Sequence, residues 1–155
     1  VKIDAHLHKF RRLDAMLTRL DPVADRELWI WTAMNAGVHL LNAALHHAGA
    51  TDATDSFHTQ VEGLYAAPDR DRGTLRDCLH DPGDVMHFGQ PPLARPVPEP
   101  ILRAGEALRE IEDLREPFVR GDGVPSAGAE ADWLAAYGAC TAGLCRELGI
   151  AREPA

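Results

Sequence analysis

Cysteine is scarce in this chain, serine is scarcer, and neither is placed for chemistry. Cys78, Cys140 and Cys145 form no C-x-x-C pair and no Cys/His zinc spacing. Cys140 and Cys145 stand five apart, about 140° around a helix, so they do not pair. Reduced thiols in a cytoplasmic protein are the simplest reading. Ser56 and Ser126 are the only serines, and both fall at capping or loop positions, which argues against a serine nucleophile. The glycines never assemble into G-x-G-x-x-G, G-x-x-x-x-G-K-S/T or G-x-S-x-G, so nucleotide cradles and the nucleophile elbow are excluded. No E-x-x-H pair is present, so a ferritin-like di-iron site lacks its motif. No apolar run reaches the ~18 residues of a membrane span, and no secretory pattern is visible in a chain that opens on Val1. Basic residues are outnumbered, 16 against 24 acidic, for a net charge of −8. That balance argues against broad nucleic-acid or anionic-membrane partners, which need a basic face.

What is present is apolar content with helical period. A chain of 155 residues, 45% hydrophobic and 26% charged, fits one soluble domain spanning 1–155 with a core of its own. Ile3, Leu7, Phe10, Leu13 or Asp14, Leu17 and Leu20 predict a first helix over 3–20. Asp21-Pro22 suits an N-cap followed by the first helical position, and the second helix runs on to Gly49. Asp55 or Ser56 can cap a third helical stretch carrying Phe57, Val61, Leu64 and Tyr65, ended by Pro68. Thr74-Leu75-Arg76-Asp77 has the form of a capping box and predicts a short helix to about His80. Residues 81–100, with Pro82, Pro91, Pro92, Pro96, Pro98 and Pro100, leave little room for a helix or a central strand. Ile101, Ala104, Leu108 and Ile111 mark a helix over 98–116 that Pro117 ends, with Arg109, Glu112 and Arg115 on its outward face. Trp133, Tyr137, Cys140, Leu144 and Leu148 mark the last, over 129–148, capped by Gly149.

The second helix is apolar nearly all the way round. Its breaks are mainly Asn35, His39, Asn42 and His46, spaced +4, +3, +4, within a band about 60° wide. This stripe is either the wet edge of a central helix or a line of binding groups pointing into the bundle. His39 and His46 lie ~10 Å apart along the axis, too far for one metal ion unless another helix supplies closer ligands. So apolar a helix belongs at the centre, or faces a second subunit through Trp29, Trp31 and Met34.

A second candidate lies at Arg76-Asp77-Cys78-Leu79-His80-Asp81-Pro82-Gly83-Asp84-Val85-Met86-His87. His80, Asp84 and His87 could ligate a divalent metal, and His80 could act as acid or base beside Arg76. The Arg-then-His order resembles the R-x(4–6)-H signature of HEPN helical ribonucleases. By that resemblance Arg76 and His80 would form half of an RNA-cleaving site shared by two subunits, although the spacing here is three. Ile3-Asp4-Ala5-His6-Leu7-His8 resembles the first-strand H-x-H metal motif of the amidohydrolases. That barrel needs ~250 residues, and on a helix His6 and His8 diverge by about 200°, so the match reads as a decoy. The chain also has the length of DinB-like metal-binding bundles, but its last helix carries no histidine. Arg120-Gly121-Asp122 matches an integrin-binding tripeptide and reads as coincidence.

The expected architecture is therefore all-α: an up-and-down bundle of four long helices plus one short helix and a long Pro/Gly-rich loop. The expected action is self-association as a homodimer, or binding of a protein partner. The alternative is a histidine site between the 28–46 helix and the 80–87 segment, binding a divalent metal or cleaving RNA.

Overall fold

A computed structural model describes residues 2–51, 64–69, 74–79 and 95–151. Four helices form an all-α bundle: α1 (Ile3–Leu17), α2 (Arg26–His47), α3 (Glu99–Asp113) and α4 (Ala129–Leu148). Helix α2 touches each of the other three, which is the central position its apolar surface requires. Trp29, Ile30, Leu40 and Leu45 are almost wholly inaccessible. Met34 is also buried and Trp31 partly so, so α2's apolar faces are covered largely within one chain.

The topology is up-down-up-down. His6 near the start of α1 meets His39 and His46 toward the end of α2, so those helices are antiparallel. Trp29 meets Trp133 and Tyr137, which sets the start of α2 beside the start of α4. Arg95, just before α3, reaches Gly49 just after α2. Within the bundle Gly37 faces Leu108, whose side chain occupies the space a Cβ would need.

Most helix limits follow the local chemistry expected of them. The Asp21 carboxylate accepts the backbone N–H groups of Val23 and Ala24 at 2.9 and 2.7 Å. Those bonds hold its carboxyl below the usual carboxylate range. The turn capped this way precedes α2 by one step, so α2 starts at Arg26 and not at Pro22. Gly149 takes a left-handed conformation and caps α4 as expected. Pro117 does not stop the chain short; it lies in a π-helical turn, Glu116–Arg120, that continues the end of α3.

Three expectations are corrected. Leu64 and Tyr65 lie in a strand, β1 (Leu64–Asp69), not at the end of a helix. The short helix expected at 74–80 is instead a second strand, β2 (Thr74–Leu79), paired antiparallel with Leu64 opposite Leu79 and Asp69 opposite Thr74. Six-residue segments cannot hold an isolated helix, whereas pairing satisfies both backbones at once. The capping-box pattern carried too little length to decide the matter. Arg115, expected outward, is buried, with its guanidinium 4.5 Å from the centre of the Trp31 ring. The rest of the Pro/Gly-rich connection and most of the stretch expected as a third helix lie outside the described residues.

Candidate functional site

Helix α1 turns an unusual face inward. Its buried residues are His6, Phe10, Asp14 and Leu17, spaced +4, +4, +3. Two of them are polar, and burial of a polar group costs ~1–3 kcal/mol unless it is bonded. Each has a partner. Asp14 accepts from the Tyr137 hydroxyl at 2.8 Å. His6 places its Nδ1 3.0 Å from Nδ1 of His39.

His46 completes the cluster. Its ring centre lies 5.4 Å from that of His6, and the His6 and His39 centres are 5.2 Å apart. All three imidazoles are buried. Two turns of α2 separate His39 from His46, and the His6 ring, coming from the neighbouring helix, sits against both. The gap that bars α2 from holding one ion alone is bridged from α1.

Electrostatics keeps the pair neutral. His6 is pushed down to about 3, chiefly by burial and then by the His39 and His46 rings. His39 is pushed down to about 4, by burial and then by the Lys9 ammonium. At neutral pH each ring therefore carries one proton and one lone pair. One Nδ1 donates and the other accepts; both cannot be protonated at 3.0 Å.

The end of α2 fixes the third ring. Ala50 N–H donates to Leu45 O at 2.9 Å and Gly49 N–H to His46 O at 3.1 Å, with Gly49 at φ +66°. This is the Schellman arrangement, which only a residue tolerant of positive φ completes without strain. It folds the chain back so that the Thr51 hydroxyl lies 2.6 Å from His46 Nδ1.

The expected stripe thus divides. His39 and His46 face His6. Asn42, also buried, donates its amide to Val38 O at 3.0 Å, and half-buried Asn35 donates to Trp31 O at 2.6 Å. Both asparagines bond back into their own helix and do not join the cluster. Arg76 is on β2, opposite Ala67; His80, Asp84 and His87 lie outside the described residues. His8, the other half of the H-x-H pair, is exposed on α1. In the RGD triplet, Arg120 binds Glu116 of its own turn at 2.9 Å.

His6 is the site residue that sequence reasoning missed. A signal was available: His6, Phe10, Asp14 and Leu17 share one helical face, and two large apolar residues on that face mark it as inward.

Among the described residues no group of three or more His, Cys, Asp or Glu side chains is placed to hold a metal ion. What the cluster supplies is two nitrogens at close range with a third imidazole beside them. Among the same residues no helix is long and apolar enough to cross a membrane. The class that fold and site define is an all-α four-helix bundle with a buried histidine cluster between its first two helices. Comparison with family models, with curated proteins and with solved structures finds no match.

Proposed function

We propose that the protein binds a divalent transition-metal ion through His6 and His39. The observation that carries this reading is the 3.0 Å separation of two buried Nδ1 atoms on different helices. Two imidazole nitrogens bound to one ion at ~2.0–2.1 Å, in near-tetrahedral geometry, stand ~3.3 Å apart. Neutral imidazole is the required ligand form, and both rings are neutral at physiological pH. An all-imidazole set favours Zn²⁺, Ni²⁺, Cu²⁺ or Fe²⁺ over Mg²⁺ or Ca²⁺, which prefer oxygen. Cys140 and Cys145, both buried and outside any disulfide, suit a reducing compartment such as the cytoplasm.

The test is titration of chelator-treated, tag-free protein with Zn²⁺ or Co²⁺. The expected result is one ion per chain, with binding lost in both His6→Ala and His39→Ala. A folded wild-type protein that takes up no metal overturns the reading.

A second reading, association with a second copy, rests on a different observation. Met16, Val23, Leu28, Val124 and Leu134 are the exposed large apolar residues among those described. All five lie at the end of the bundle away from the histidines. Light scattering at micromolar concentration would show a dimer that Leu28→Glu disrupts; a monomer throughout removes this reading.

A further inference from the structure

We propose that the corner between α1 and α2, residues 12–28, is the contact face for a second copy of this chain: Arg12 and Arg19 of one copy pair with Asp25 and Glu27 of the other, around Met16, Val23 and Leu28. This rests on the second-copy reading above and names the surface and the charges that set its register.

The corner carries two lines of opposite sign. Arg12, Met16 and Arg19 recur at +4 and +3, within a band about 60° wide on the outward side of α1. All three are exposed. Arg19 N–H donates to Met16 O at 3.0 Å, so the line continues past the last residue of the helix. Asp21, Asp25 and Leu28 repeat the same spacing. Asp25 N–H donates to Asp21 O and Trp29 N–H to Asp25 O, both at 2.8 Å, so this turn runs straight into α2. Asp21, Asp25 and Glu27 are exposed. Met16 is 45%, Val23 41% and Leu28 53% exposed, three large apolar side chains left in water on one short stretch of chain.

These charges lack the partners that the chain gives its other cations. Arg103 pairs with Glu99, Arg115 lies near Glu112 and Arg120 pairs with Glu116, each three or four residues away. The corresponding neighbours of Arg12 are His8, Lys9, Ala15 and Met16; those of Arg19 are Ala15, Met16, Pro22 and Val23. None is acidic. The neighbours of Asp25 and Glu27 at those spacings include no cation either. Among the described residues no ion pair engages Arg12, Arg19, Asp25 or Glu27.

A symmetric contact answers both lines at once. A two-fold axis sets one patch against itself, so that residue i meets j and j meets i. The basic line of each copy then lies on the acidic line of the other, and the apolar side chains leave water together. A uniformly anionic partner would set like charge against Asp25 and Glu27, and a uniformly cationic one against Arg12 and Arg19. The second copy carries both signs in matching order. Stable interfaces use ~20–30 residues a side; this corner offers fewer, so the dimer is a weak, reversible one.

Light scattering of the whole chain at micromolar concentration tests this with two charge-reversed proteins, Arg12→Glu/Arg19→Glu and Asp25→Arg/Glu27→Arg. Each alone should raise the dimer dissociation constant ~10-fold or more, since like charges then face each other. An equal mixture of the two should recover the dimer, because each reversed line meets its complement on the other chain. If Asp25→Arg unsettles the turn, Glu27→Arg alone takes its place. Reversed proteins that dimerise as the wild type does, while Leu28→Glu disrupts the dimer, overturn the charge pairing and leave the second-copy reading standing. A mixture that stays monomeric also overturns it. A monomeric wild type removes both and leaves the corner to a foreign partner.

Discussion

The phenolic hydroxyl of Tyr137 donates to Asp14 Oδ1 at 2.8 Å, joining the first and last helices across 123 residues of chain. Both residues are buried, and the Tyr137 ring also meets Trp29 edge-on. Tyr137→Phe keeps the ring and removes the donor. A buried hydrogen bond to a carboxylate contributes ~1.5–3 kcal/mol, so urea unfolding should show a loss of about that size with an unchanged m-value. A loss below 0.5 kcal/mol, on the order of a neutral surface substitution, would mean that the contact does not carry stability.

Acid should destabilise the metal-free protein earlier than its carboxylates alone would. His6 and His39 are pushed down to about 3 and about 4 in the folded chain, chiefly by burial, against the usual 6.5 of histidine. Between those limits the unfolded chain holds more protons than the folded one, so stability falls as pH falls. The loss begins as pH drops through 6.5, where unfolded histidine protonates, and levels off near the folded values. Burial sets these values first; the His39 and His46 rings, the N-terminal amine and Lys9 add to it at His6, and Lys9 adds to it at His39. Each group adds a slope of up to about 1.4 kcal/mol per pH unit. Chemical denaturation of chelated protein from pH 7 to pH 5 checks this. His6→Gln should flatten the dependence, and an unaltered slope would contradict it.

Arg115 and Lys are not equivalent at the α3 terminus. The guanidinium carbon lies over the Trp31 ring, 4.5 Å from its centre, with Glu112 at 3.9 Å. A desolvated cation–π contact is worth ~0.5–2 kcal/mol, and lysine offers no planar group to replace it. A double-mutant cycle of Arg115→Lys with Trp31→Leu should return a coupling in that range. Additive effects would show that the two side chains act separately.

The fold was legible where apolar period is long and caps are strong. The faces of α3 and α4 read directly, from Ile101 to Ile111 and from Trp133 to Leu144, and α2 declared its central place by having almost no polar side. The face of α1 was read through Phe10, Leu13 or Asp14, and Leu17, but without His6, which looks like a surface residue until its partner His39 is placed. No local pattern encodes a partner 33 or 123 residues away. The histidine site was half legible for the same reason. Its α2 members stood out against an apolar background, while the bridging His6 sat inside a motif that resembled something else. The hairpin was missed because six-residue strands carry too few repeats to separate period 2 from period 3.6.

The notch at Gly37 has a consequence for how the two halves of the bundle engage. Leu108 fills the space where any other residue would carry a Cβ. The chain between α2 and α3 runs over 51 residues, far too long to dictate how far one helix slides along the other. A single leucine seated in a single gap does so instead, as a pin in a socket. Moving α3 by one turn would drive Leu108 against the side chains of Ala33 or Leu41. Helix α3 thus keeps its axial place on α2 through one shared tooth in the middle.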